Sequence, residues 1–449
     1  MSDSRLRVPH PLALLTGCVL LAAAASWILP AGQFERRFDE ATGRTLVVPG
    51  TFQSVDPHPV NLFEAIVALP VGMADAGSVI FLVFLIGGAL TVVDESGALR
   101  RAMPSLVRAM RGRDLLIVPV VSIFFAMGGV VQNMQEEIIP LIPVLMILIA
   151  RLGFTPMVAV AMSAGAAFVG SAFSPINPFQ VQIAQRAAEV EPLSGSAFRI
   201  VFLVIALAVW IGATMRYAAA TRTAPQGASA EVGGVMTGRD SVILGMLGAT
   251  FAIMVIGLRF WGWDFDQMSA AFFIMGVLVG GVARMGVTGT AEAYVKGFRE
   301  MAYAALLIGF ARAISTVLEQ GLVIDTIVSG MFAPLENLPR VASALGMIVG
   351  QALLHVPIPS VSGQAVLTMP VLVPLADLLG LSRQVIVLAY QYGAGLCDIV
   401  TPTNGALMAI LAAAGVRYDE WLKFAAPLYL GLVALGGISV ATAIAIGLQ

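Results

Sequence analysis

Two stretches of this chain carry the same pattern of prolines and polar residues inside otherwise apolar sequence. The first runs from Pro143-Val144-Leu145 through Leu152-Gly153 to Ser174-Pro175-Ile176-Asn177. The second runs from Pro370-Val371-Leu372 through Leu379-Gly380 to Thr401-Pro402-Thr403-Asn404. Pro143 and Pro370, Gly153 and Gly380, and Asn177 and Asn404 are each 227 residues apart, so the register holds without a gap. A helix broken at mid-membrane frees backbone groups that can hold a solute. Such breaks at matching positions in two halves of an apolar chain are the best sequence pointer to a transporter binding site.

Composition agrees with that class. Charged residues make up 12% of the 449, and 58% are hydrophobic, with a mean hydropathy of +0.90. A soluble domain carries about a quarter charged residues, so a soluble enzyme is excluded and a polytopic membrane protein of about a dozen segments is expected. The net charge of -2 supplies no basic patch for nucleic acid. Cys18 and Cys397 sit in apolar runs, with neither a disulfide framework nor metal-ligand spacing. Arg5 and Arg7 precede an apolar run from Pro11 to Pro30. No small-residue cleavage site clearly follows, so this run reads as a retained first helix rather than a signal peptide.

Lys and Arg in the loops set the topology. Arg100, Arg101, Arg108, Arg111 and Arg113 form the densest basic loop, which is expected to face the cytoplasm together with the N-terminus. Residues 11 to 30 then cross outward, an external loop runs to about residue 60, and 78 to 97 return after an interfacial piece around Leu62 to Ala74. The segment 115–151 leaves and returns to the cytoplasm through a polar knot, Gln132-Asn133-Met134-Gln135-Glu136-Glu137, and reads as a re-entrant hairpin. A broken span, 155–189, goes outward, and 197 to 215 come back to a cytoplasmic linker, 216–239, with Pro225, Gly227, Gly233 and Gly234. The second half, 240–449, has one more crossing, which reverses its orientation relative to 1–215. Residues 240 to 258 and 268 to 283 cross, an amphipathic piece with Glu292, Lys296, Arg299 and Glu300 lies on the surface, and 302 to 320 cross outward. The hairpin 341–379 therefore enters from outside, and a broken span, 384–415, follows. The fold class expected is an all-α polytopic membrane protein, an inverted-repeat transporter with two re-entrant hairpins and two broken helices.

The polar chemistry gathers at the breaks and tips. One proline alone reads as a helix kink, but Pro175 and Pro178 together remove two amide donors and leave carbonyls that need other partners. Peptide oxygens with the side-chain oxygens of Ser174, Asn177, Thr401 and Asn404 suit a hard cation such as Na+, whereas half-helix N-termini suit a carboxylate. Tip two, His355 to Gln364, offers Ser360, Ser362, Gly363 and Gln364 on an irregular backbone. Tip one offers Asn133, Glu136 and Glu137, and a carboxylate facing the apolar core must be paired, protonated or ligand-bound. Asp398 and Thr403 are expected at the same depth. Neither tip nor break contains Lys or Arg, which favours a solute that brings its own amine, is monoanionic, or arrives with coupled cations. Arg312, inside a span, is read as a scaffold ion pair ahead of a solute contact. His355 is read as a structural residue ahead of a proton-coupling one. Asp94, Glu95 and Asp377 are read as helix-end groups that reach water.

Taken together, Pro359-Ser360-Val361-Ser362-Gly363-Gln364-Ala365, Thr368-Met369-Pro370, Pro374-Leu375-Ala376-Asp377, Val387 to Gly393 and Thr401-Pro402-Thr403 resemble the YfcC-type carriers. Those group with four-carbon dicarboxylate carriers and arginine/ornithine exchangers in the ion transporter superfamily. Glu136-Glu137, Gly170-Ser171 and Asn177-Pro178 match in the first half, so the resemblance covers nearly the whole chain. This chain has Val361 where the family's tip has glycine. The resemblance implies a homodimer in the inner membrane, with a scaffold and a mobile transport domain. It also implies an elevator-like shift driven by a Na+ or H+ gradient or by exchange. Its substrate labels divide between dicarboxylate and basic amino acid, and the acid-rich, cation-poor site favours an amino acid. A channel is disfavoured by two blocking hairpins. A membrane-embedded hydrolase is disfavoured because no His-Glu-x-x-His motif occurs and His355 near Ser360 and Ser362 lacks an orienting third group.

Overall fold

The computed structural model describes residues 10–39, 44–48, 50–99, 101–102, 114–223 and 236–448. Arg5 and Arg7, Arg100, Arg108, Arg111 and Arg113 of the basic loop, and Pro225 to Gly234 of the linker lie outside the described residues. The chain is mostly helical. In the first half the helices are α1 (Pro11–Ile28), α2 (Leu62–Asp75), α3 (Gly77–Glu95), α4 (Ile117–Gln132), α5 (Ile142–Leu152), α6 (Pro156–Ala172), α7 (Ile183–Ala187) and α8 (Ser196–Ala220). In the second half they are α9 (Gly238–Phe260), α10 (Phe265–Val282), α11 (Gly286–Gln320), α12 (Ile324–Phe332), α13 (Arg340–His355), α14 (Val361–Leu379), α15 (Arg383–Cys397), α16 (Gly405–Ala414) and α17 (Tyr418–Ala445). Among the described residues, eight helices are long and apolar enough to cross a membrane.

Two expectations need correction. The chain is not wholly α-helical, because the segment after α1 forms two short antiparallel ribbons. Gly32–Gln33 pairs with Gln53–Ser54, and Arg36–Asp39 with Arg44–Val47. The amphipathic piece near Lys296 is also not separate from the 302 to 320 span: α11 is one helix of 35 residues. No proline or capping residue interrupts it, so the hydrogen-bond ladder continues, whereas α2 and α3 are parted by a kink at Ala76. The Lys296 ammonium lies 2.9 Å from the Glu95 carboxylate, so Glu95 has a fixed partner as well as water.

Local devices recur at the 227-residue offset. Gly153 and Gly380 both end helices in the left-handed region, with φ of 74° and 63°. Asn177 and Asn404 both cap the helical segment that follows, their amide oxygens accepting backbone N–H groups. Pro143 sits in the first turn of α5, where its missing amide costs nothing, while Pro370 and Pro374 lie within α14.

The most buried elements are the ones that lead into the breaks. Met157 to Pro175 are all buried, as are Gln384 to Cys397. A helix buried on every side needs small residues to bring its neighbours close. The contact of α4 with α6 shows how close. A Cβ on Gly129 would fall 2.0 Å from the Ala167 carbonyl oxygen, and one on Gly170 would fall 2.3 Å from that of Ala126. A π-helical turn at Ala161–Gly165 interrupts α6, and the Trp210 indole donates to the Ala161 carbonyl at 2.8 Å. On the other side, α11 packs along α2 and α3, with α10 against α3.

Candidate functional site

Both spans are interrupted where the paired motifs predict, at 173–177 and 398–404. The freed carbonyls do not stay open. Pro178 has no amide to give the Ser174 carbonyl, and Gln391 Nε2 donates to that oxygen at 2.8 Å instead. Gln391 is held in turn by the buried Arg199, whose Nε reaches Gln391 Oε1 at 3.0 Å. In the second break the Trp421 indole takes the Ile399 carbonyl at 2.7 Å, and the Tyr418 hydroxyl takes that of Val400 at 2.5 Å.

The side chains expected to offer oxygens to a cation also make hydrogen bonds within the protein. Asn177 Oδ1 accepts the Phe179 and Gln180 amides, and Ser174 Oγ donates to the Val130 carbonyl while accepting the Ile176 and Asn177 amides. Asn404 Oδ1 accepts the Leu407 amide. Thr401 and Thr403 share a hydroxyl contact at 3.1 Å, and Thr403 Oγ1 donates to the Val356 carbonyl.

The two tips meet across one cavity of about 260 Å³. Asn133, Glu136 and Glu137 line it from tip one, Ser360 and Ser362 from tip two, and Asp398 from the second break. Asn133 ends α4 in the left-handed region, with φ of 56°. Its Oδ1 accepts Ser171 Oγ and Gln180 Nε2, which fixes the amide and leaves its nitrogen without an intramolecular partner among the described residues. Glu137 accepts the Gln135 amide at 3.1 Å, whereas the Glu136 carboxyl interacts with its own backbone amide. Among the described residues, no Arg or Lys lines the cavity. Four carboxyl side chains, Glu136, Glu137, Asp264 and Asp398, thus face one small polar cavity that offers acceptors to an amine or a cation.

Gly363, Gln364 and Thr403, expected as solute contacts, lie behind this cavity. Gln364 belongs to a buried network with His355, Asp398, Gln351 and Thr368. Gln364 Nε2 donates to the Gln351 carbonyl at 2.6 Å, and a peptide oxygen only accepts, so Gln364 Oε1 is the atom 3.0 Å from His355 Nδ1. His355 Nε2 lies 2.9 Å from Asp398 Oδ1. Gln135 Nε2 donates to Asp398 Oδ2 at 2.8 Å, and Asn404 Nδ2 donates to Oδ1 at 2.6 Å. His355, at 0% exposure, is therefore the hub joining tip two to the second break.

Sequence reasoning missed part of the cavity wall. Trp263, Asp264, Phe265 and Met268, from the α9–α10 turn, and Phe179 close it. That turn carries a capping box, Asp264 with Gln267, but nothing in a capping box marks a ligand site. Val361, where the family's tip has glycine, is a buried first-turn residue of α14 whose carbonyl accepts the Tyr390 hydroxyl.

With this geometry established, comparison with known proteins is informative. Residues 8–445 match the family model described as C4-dicarboxylate anaerobic carrier. The YfcC protein of Escherichia coli strain K12, named as a candidate basic amino acid antiporter, is 32% identical over 480 residues, covering 96% of this chain and 94% of that protein. An uncharacterized protein of Haemophilus influenzae is 27% identical, with 96% of both chains covered. Among solved structures, the YdaH transporter of Alcanivorax borkumensis aligns at 19% identity with a TM-score of 0.47, over 98% of this chain and 99% of that one.

Proposed function

Because the chain belongs to the C4-dicarboxylate anaerobic carrier family, it is a membrane carrier and not an enzyme, and we propose that its solute is a small amino acid, basic in character. One observation carries this reading: Glu136, Glu137 and Asp398 line a single cavity that has no Arg or Lys. A four-carbon dicarboxylate would meet like charge there, whereas an amine finds an acceptor. In this reading the Glu136 and Glu137 carboxylates hold the amine, and Asn133, Ser360 and Ser362 supply neutral polar contacts. Asp398, Gln364, Gly363 and Thr403 hold the tip that faces them, while Ser174, Asn177, Thr401 and Asn404 keep the spans broken.

Movement follows the repeat. Halves 1–215 and 240–449, joined by the linker 216–239, are inverted relative to one another, and the hairpins 115–151 and 341–379 are re-entrant. With the broken spans 155–189 and 384–415 they form a transport domain that shifts against a scaffold as an elevator within a homodimer of the inner membrane, N-terminus cytoplasmic. A Na+ or H+ gradient, or exchange, drives the shift. The name of the Escherichia coli relative supports exchange of basic amino acids, and the family description supports the alternative, a dicarboxylate. Purified protein in proteoliposomes, offered arginine, ornithine, neutral amino acids and dicarboxylates under Na+ and pH gradients imposed separately, decides between them. Saturable uptake of an amine-bearing solute is expected, and a dicarboxylate-only profile overturns the reading.

A further inference from the structure

A second cavity, of about 460 Å³, lies on the other side of tip two, and Ser360 lines both. Its walls come from both ribbons, the end of α11, α12 and tip two, and they include Arg36, Arg312, Glu319, Asp325, Ser360 and Gly363. Two guanidinium groups therefore stand beside a tip whose own sequence contains no cation.

The two differ in what they already hold. Arg36 is engaged: its Nη2 reaches Asp325 Oδ1 at 2.9 Å, its Nη1 donates to the Phe34 carbonyl, and Asp325 Oδ2 accepts the Phe34 amide. Arg312 is less so. It sits well inside the 35-residue α11, with its neighbours from Ala313 to Leu318 buried, and is itself 43% exposed. As the scaffold reading expects, it forms an ion pair, but a long one: Nε lies 3.9 Å from Asp75 Oδ2, beyond hydrogen-bond distance, and the guanidinium makes no side-chain hydrogen bond among the described residues. A guanidinium that spends none of its donors on a hydrogen bond keeps them for a ligand, and its planar fork matches a carboxylate in two parallel bonds.

We propose that Arg312 is a carboxylate-binding residue, receiving the solute's carboxylate in the cavity on the scaffold side of tip two. The inference rests on the reading of the chain as a carrier of carboxylate-bearing solutes. It adds the cation that the acidic cavity lacks: the amine is recognised by Glu136 and Glu137 on one side of Ser360, and the carboxylate by Arg312 on the other. An amine without a carboxylate satisfies only the first.

The test uses solute pairs that differ only by that group, ornithine against putrescine and arginine against agmatine, with purified protein in proteoliposomes. R312Q is expected to raise KM for the amino acid at least tenfold and to leave uptake of the decarboxylated amine unchanged, with R312K between. Elution of each variant as the same monodisperse species as wild type separates this outcome from misfolding. An unchanged KM, or equal weakening of both members of a pair, overturns the proposal. Should wild type carry only dicarboxylates, the amine reading falls, and R312Q still decides the inference by whether KM for the dicarboxylate rises.

Discussion

His355 Nε2 stands 2.9 Å from Asp398 Oδ1, and both residues are buried. His355 ends α13 and Asp398 opens the second break, so this contact ties the tip of one element to the interruption of another. Asp398 is also held by Gln135 from tip one and by Asn404. One carboxylate thereby links both tips and a break.

That relationship predicts an order of severity. In D398N an amide nitrogen would face Gln135 Nε2 or Asn404 Nδ2, which only donate, and a buried polar group left unsatisfied costs about 1–3 kcal/mol. D398N is expected to lower the thermal unfolding midpoint of detergent-solubilised protein by several degrees and to abolish uptake. H355Q, which retains a donor toward Asp398, should cost less stability while still reducing uptake more than tenfold. Equal midpoints for D398N and wild type would argue against the hub.

Glu136, whose carboxyl interacts only locally with its own backbone amide, predicts a binding effect with little folding one. E136Q is expected to raise KM for a basic amino acid at least tenfold with little change in melting temperature, since the amide oxygen can still accept the local backbone N–H. Glu137 accepts the Gln135 amide, so E137Q should show both a KM rise and a measurable loss of stability. Initial-rate uptake alongside thermal melts separates the two.

Loss of a cap costs about 1 kcal/mol, and Asn177 and Asn404 are both caps. N177A also removes donors to the Gly129 carbonyl and to Ser171. N404A strips a donor from Asp398, and its effect on uptake is expected to be the larger. Comparable, mild losses in both variants would mean that the caps act independently of the solute site.

The α4–α6 crossing has no room for a side chain. A Cβ at Gly129 would lie 2.0 Å from a backbone oxygen, which cannot be turned aside like a flexible side chain. Overpacking of this kind costs about 1–3 kcal/mol or more. G129A is expected to reduce the yield of monodisperse protein markedly, whereas alanine at Gly212, where nothing lies within 4 Å, should behave as wild type.

Much of this was legible in the chain. Proline pairs and Asn caps act within a few residues, so Ser174 to Pro178 and Thr401 to Asn404 announce their breaks by local chemistry alone. The acids of tip one were visible for the same reason, because any carboxylate in so apolar a run stands out. The 35-residue α11 was read as two pieces because charge patterning near Lys296 suggested a surface helix. Its partner, Glu95, lies 201 residues away in sequence.

Sequence by itself determined the membrane class, the two breaks and the polar content of the tips, since apolar length, proline and capping chemistry are properties of contiguous residues. Only the tertiary structure decided what those groups touch. Gln391 and Trp421 take up the freed carbonyls, Trp263 and Asp264 wall the cavity, and Arg312 comes to stand behind tip two. The physical reason is that satisfying a buried polar group is a demand the sequence states locally, while the donor or acceptor that meets it comes from whichever helix packs alongside.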